Sequence, residues 1–127
     1  MTEPTSSIPA ARTARLVILL NHVSIDTPES LTIALRYATT AAAMDVEVEL
    51  HAVSRSVALF RHGATDSALQ ALIRQAASFG VALFVCPVAL AEQGLSANDL
   101  IEEVAGVRGA ASLLVAGLAP GARFMVF

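Results

Sequence analysis

Apolar residues fall along this chain in two alternating rhythms. Leu16-Val-Ile-Leu-Leu20 is a short continuous apolar run, the mark of a central parallel strand covered on both faces. After a loop from Asn21 to Asp26, Leu31, Ala34, Leu35 and Ala38 recur at i, i+3, i+4 and i+7, which predicts a helix laid on a sheet. Thr27 suits its N-cap, Pro28 its first position, and Glu29 complements its dipole. Val46 to Ala52 then alternates strictly, with Val46, Val48, Leu50 and Ala52 on one face and Glu47, Glu49 and His51 on the other. Such a strand has one wet face and is expected near a sheet edge or along an interface.

The rhythm continues with a helical turn over Ser54 to Phe60 and a loop from Arg61 to Ala64. A second helix is expected over Asp66 to Phe79, carrying Leu69, Leu72, Ile73 and Ala76 in register and stopped by Gly80. Val81-Ala-Leu-Phe-Val85 reads as a buried strand that ends at Cys86, and Pro87 opens a short helix closed by Gly94. Ser96-Ala-Asn-Asp99 has capping-box spacing and predicts a helix to about Val104. Ser112 to Ala116 is read as another strand, Gly117 to Gly121 as a turn and Arg123 to Phe127 as the last strand. Strands alternating with helices predict a three-layer α/β/α sandwich with a mostly parallel sheet of about five strands. Residues 1–13, rich in Pro, Ser, Thr and Ala, are expected to be a flexible tail, and residues 14–127 a single domain.

Composition narrows the function classes. The chain has 127 residues, 55% of them hydrophobic and 15% charged, yet no stretch approaches the roughly 18–20 uninterrupted apolar residues of a membrane helix. A doubly covered parallel sheet accounts for part of this apolarity and subunit interfaces for more, so a homo-oligomer is expected. Net charge is −3 and every basic residue is arginine. The absence of lysine excludes Schiff-base chemistry and a phosphate-binding loop lysine. With one tyrosine, no tryptophan and no basic cluster, nucleic-acid binding is not expected. The first ten residues lack the features of a signal peptide, and one cysteine makes no disulfide framework. A reducing, cytoplasmic setting is expected.

The chemistry gathers at Cys86, the sole cysteine. It stands at the carboxyl end of a strand, where sites form in open parallel sheets, and before a proline-started helix. Unpaired N–H groups and the positive dipole end of that helix favour thiolate, the reactive form. Against this stands the reading of Cys86 as a small buried hydrophobe. Asn21 and His22 follow the first strand and Ser54 and Arg55 the second, so all four are expected on one rim with Cys86 and Pro87. His22 is a candidate base or donor there, or a loop histidine without a role. Glu47, Glu49 and His51 have ligand types that suit zinc or manganese, or form a solvated edge or an interface salt-bridge set; no metal is expected. Arg61-His62-Gly63 is either an anion site or a turn. No G-x-G-x-x-G, G-x-x-x-x-G-K-[ST], G-x-S-x-G or C-x-x-C occurs, so no cofactor is expected and dithiol exchange within the chain is disfavoured.

The run Ala77-Ser-Phe-Gly-Val-Ala-Leu-Phe-Val-Cys86-Pro-Val-Ala-Leu-Ala-Glu-Gln-Gly-Leu95-Ser-Ala-Asn-Asp-Leu100 resembles the DsrE/DsrF-like family, which includes the DsrE, DsrF and DsrH subunits and the Tus sulfur-relay proteins. The likeness extends over residues 15–127, through the first strand and its alanine-rich helix, the Val-Glu-Val strand and the apolar strand ending on Phe127. The resemblance implies a DsrE-like sandwich assembled as trimers or hexamers. It also implies that Cys86, matching the cysteine of the sulfur-relay members, carries sulfur as a persulfide. No second cysteine is present, so transfer would run between proteins, from a donor to an acceptor partner. The function expected is a sulfur carrier of sulfurtransferase type. The alternatives are a non-catalytic oligomeric module that binds a small ligand or partner protein, and a single-cysteine redox sensor.

Overall fold

The continuous apolar run forms β1 (Arg15–Leu20), and the computed structural model describes the chain from just before it onward, residues 14–127. The tail expected over residues 1–13 lies outside the described residues. After β1 come α1 (Pro28–Ala43), β2 (Glu47–Ala52), a 3-10 helix over Ser54–Phe60, α2 (Ser67–Ser78) and β3 (Ala82–Val85). They are followed by α3 (Pro87–Glu92), a 3-10 turn at Ala97–Asp99, β4 (Val104–Val107), α4 (Ala110–Gly117) and β5 (Ala122–Val126).

The five strands make one sheet in the order β4-β3-β2-β1-β5, with every neighbouring pair parallel. Three crossovers step the chain from β1 to β4 in one direction, and the fourth carries it back past β1 to β5. Right-handed crossovers therefore put α1, α2 and α3 on one face and α4 on the other. This is the expected α/β/α sandwich. No helix among the described residues is long and apolar enough to cross a membrane.

The first face is closed. Ile18 and Leu20 of β1, Leu50 of β2, and Leu83 and Val85 of β3 pack under Leu31 and Leu35 of α1, Ile73 of α2 and Leu90 of α3 in one buried cluster. Each such side chain contributes roughly 1.5–3 kcal/mol on burial. The helix ends are set locally. Asp66 caps α2 by accepting the Leu69 N–H at 2.9 Å. Thr27 occupies the N-cap of α1 without bonding into the helix, and its Oγ1 accepts the Ser24 N–H at 3.3 Å instead.

Three expectations are corrected. The segment Ser112 to Ala116 is not a strand but lies within α4, because a short apolar run fits a helix as readily as a strand. The fourth strand is instead Val104-Ala-Gly-Val107, a sequence whose small residues carry little strand signal. The helix expected from Ser96 to about Val104 shrinks to the 3-10 turn at Ala97–Asp99. The Ser96–Asp99 capping box is formed, but Leu100 then turns extended and bridges antiparallel to Arg61.

The third correction concerns β2, which lies at the centre of the sheet rather than near its edge. Of its expected wet face only Glu47 is exposed; His51 is 2% exposed, with Nε2 at 2.9 Å from Glu49 Oε1. Alternating polar residues pass for a solvated face in sequence, yet two of them here satisfy each other within the fold.

Candidate functional site

Because all strands run parallel, the loops after β1, β2, β3 and β4 emerge on one rim of the sheet. Cys86 sits on this rim as the first residue past β3 and as the N-cap of α3, with extended backbone (φ −70°, ψ 126°). Its N–H donates to the Ala52 carbonyl at 3.0 Å, and its own carbonyl accepts the Leu90 N–H at 3.0 Å, closing the first turn of α3. Pro87 occupies the position after the cap, where a missing N–H costs nothing. The thiol makes no capping hydrogen bond and is half-buried against the core cluster.

On the β4 side the rim is completed by residues that motif reading passed over. The Arg108 N–H donates to the Val85 carbonyl at 3.0 Å, extending the β3–β4 ladder one step beyond the strand end. Register pairs Phe84 with Gly106 and Val85 with Val107, so Arg108 stands opposite Cys86. Gly109 lies against Pro87: a Cβ on it would stand 3.8 Å from Pro87 Cγ and Cδ. No sequence motif marks Arg108, because Val104–Val107, the strand that places it, carries little strand signal.

Asn21, His22, Ser54 and Arg55 are brought together, but without Cys86. They line a hollow of about 160 Å³ above β1 and β2 with Val23 and Ser24. Asn21 Nδ2 lies 3.3 Å from His22 Nε2, and Arg55 Nη2 lies 3.7 Å from Asp26 Oδ2 in an exposed pair of little energetic weight. Ser54 holds a left-handed conformation (φ 55°). The buried Ser56 hydroxyl lies within hydrogen-bonding distance of both the Leu20 and the Val53 carbonyls (2.7 and 2.6 Å), tying the two loops together. The strand order reverses between β1 and β5, the usual place for a ligand crevice in such sheets. Here that place is closed, since the Asn21 and His22 N–H groups donate to the Phe127 carbonyl at 2.7 and 2.9 Å. Cys86 lies two strands away from it.

The second face of the sheet carries a polar row that leads to the Cys86 rim. Leu19, His51, Phe84 and Gly106 are register partners on β1, β2, β3 and β4. The His51 ring, held by Glu49, lies 5.2 Å from the Phe84 ring, and the Arg108 guanidinium lies 4.3 Å over the other ring's centroid in a cation–π contact. Gly106 lies beside the same ring, where a Cβ would stand in ordinary contact with Phe84 at 3.8 Å.

Two further features lie elsewhere. Arg61-His62-Gly63 forms a turn, with Ala64 N–H bonded to the Arg61 carbonyl at 3.1 Å and Gly63 at φ 79°. An open cleft of about 390 Å³ runs beside it between α2 and residues 101–103, bordered by His62, Gln70, Arg74 and Glu103. Among the described residues no three His, Cys, Asp or Glu side chains are grouped to hold a metal ion.

The fold and rim define an open, all-parallel α/β protein with a single thiol at a strand's carboxyl end. The chain belongs to the DsrE/DsrF-like family, whose model matches residues 15–127. No curated protein matches it in sequence. Among solved structures it is similar to the ychN protein from E. coli, at 19% identity and a TM-score of 0.77, over 91% of this chain and 100% of that one. It is likewise similar to MTH1491 from Methanobacterium thermoautotrophicum, a protein of unknown function, at 20% identity and a TM-score of 0.72, over 90% of this chain and 99% of that one. At these identities the likeness is one of fold.

Proposed function

We propose that the protein is a sulfur carrier of sulfurtransferase type, in which Cys86 accepts sulfane sulfur as a persulfide and passes it to the thiol of a partner protein. The observation that carries this reading is the position of the chain's sole thiol in a DsrE/DsrF-family fold: on the carboxyl rim, directly after β3 and before Pro87. In the first step the Cys86 thiolate attacks the outer sulfur of a donor persulfide R–S–SH. A new S–S bond forms, the old one breaks, and its electron pair leaves with R–S⁻. In the second step an acceptor thiolate attacks the outer sulfur of Cys86–S–SH and frees the Cys86 thiolate. No net oxidation or reduction occurs.

With one cysteine, both steps run between proteins, and the reading includes donor and acceptor partners, a trimeric or hexameric assembly of the chain itself, a single folded domain over residues 14–127 and a reducing, cytoplasmic setting. Half-burial of Cys86 suits a carrier, since it limits the access of stray thiols to the bound sulfur. The same packing against the core also supports the second reading, a non-catalytic module in which Cys86 only fills space. Sulfur uptake separates the two. The wild-type protein is expected to take up sulfur from thiosulfate, polysulfide or a persulfidated protein, and Cys86→Ser is expected not to. Uptake by Cys86→Ser equal to the wild type removes the carrier reading.

A further inference from the structure

We infer that the open cleft between α2 and residues 101–103 is a binding site for a dipolar α-amino acid, with Arg74 taking its carboxylate and Glu103 its ammonium group. Cys86 does not border this cleft, so the inference stands apart from the carrier reading.

The walls come first. One is a face of α2, because Ser67, Gln70 and Arg74 recur at i, i+3 and i+7 and all border the cleft. The other is pinned by backbone pairing. The His62 N–H donates to the Asp99 carbonyl and the Ile101 N–H to the Phe60 carbonyl, each at 2.9 Å, on either side of the Arg61–Leu100 bridge. This pairing stands where the Ser96–Asp99 spacing predicts a helix, and it carries the chain on to Ile101 and Glu103 at the cleft. The cleft measures about 390 Å³, within the roughly 300–1,000 Å³ of small-ligand sites.

The polar groups inside it are of both signs and are not spent on each other. The Thr65 hydroxyl donates to Gln70 Oε1 at 3.4 Å, and Gln70 Nε2 donates to Glu103 Oε1 at 3.3 Å. That chain holds the half-buried Glu103 carboxylate by one oxygen and leaves the other without a partner among the described residues. Arg74 stands one turn beyond Gln70 on the same helix face. It is exposed, and among the described residues it forms no ion pair.

Charge complementarity selects the ligand class. An anion alone would find Arg74 but face the Glu102 and Glu103 carboxylates, and a cation alone would find Glu103 but face Arg74. One ligand carrying both signs satisfies both groups. Its carboxylate matches the planar fork of a guanidinium, and its ammonium group donates to the free oxygen of Glu103. Ile101, 7% exposed, borders the same cleft and offers an apolar contact to the ligand's side chain.

Three probes that share one apolar body test this by titration of backbone amide NMR shifts. L-leucine carries both charges, 4-methylpentanoate only the carboxylate and 3-methylbutylamine only the ammonium group. L-leucine is expected to give saturable shifts at Gly63, Gln70 and Glu103 and to bind more tightly than either analogue. Arg74→Gln should weaken L-leucine by roughly three- to ten-fold without weakening 3-methylbutylamine. Glu103→Gln, whose amide oxygen can still accept the Gln70 N–H, should weaken L-leucine by a similar factor without weakening 4-methylpentanoate. Shifts that rise without saturating, binding of L-leucine no tighter than that of its analogues, or an unchanged L-leucine affinity in either variant overturns the inference.

Discussion

The two faces of the sheet are built from the same five strands and are closed very differently. Three helices and a 3-10 helix seal the first face, and Ile18, Leu20, Leu31, Leu50 and Ile73 have no exposed surface there. The second face has only α4, lying over β1 and β5. Leu114, Val115 and Leu118 of that region and Phe124 and Val126 of β5 stay between 42% and 78% exposed. The same face carries the His51–Glu49 pair and the Arg108–Phe84 stack. The high apolarity of the chain thus has two destinations: a core on one face and uncovered surface on the other. The sealed face holds the fold, and the open one is the side on which an assembly would close.

Substitutions on the two faces sharpen or break this contrast. The largest effect is expected at the sealed face, where Leu50→Ala should cost about 3 kcal/mol in denaturant unfolding. A loss no greater than that of Val126→Ala would mean the first face is not the stabilising one. Next comes the contact that seats α4 on the open face. Gly117 lies so close to Phe124 that a Cβ would overlap its ring, so Gly117→Ala must displace a half-exposed phenylalanine. A loss of about 1–3 kcal/mol is expected, relieved when Phe124→Leu is added. The smallest change in stability, within about 0.5 kcal/mol for the monomer, is expected for Leu118→Ser with Val126→Ser. If the proposed trimer or hexamer closes on this face, that pair is expected to dissociate it, read by sedimentation. A double variant that sediments as the wild type does would remove the open face as the interface.

Sequence patterns and structure agree where one rule decides. Proline after Cys86, the alternation of Val48 and Leu50, and the i, i+3, i+4 stripe of α1 each led to the element that forms. They diverge where a pattern serves two structures. Ser112 to Ala116 suits strand or helix, and in the fold it lies within α4 while Val104–Val107 forms the strand. The strand at Val104–Val107 also sets Arg108 at a strand end, opposite Cys86 in register. His51 is buried against the pattern for a related reason: period two reports which side chains share a face, not whether that face is wet. Asn21, His22, Ser54 and Arg55 do share the rim, but their hollow opens over β1 and β2, a strand away from the thiol.

The central claim is that Cys86 takes on sulfur, and intact-mass analysis after exposure to a persulfidated donor tests it most directly. A sulfur carrier gives a product heavier by one sulfur atom, lost again on treatment with reductant and carried on the peptide that contains Cys86. An unchanged mass under conditions in which a small free thiol is loaded would contradict it.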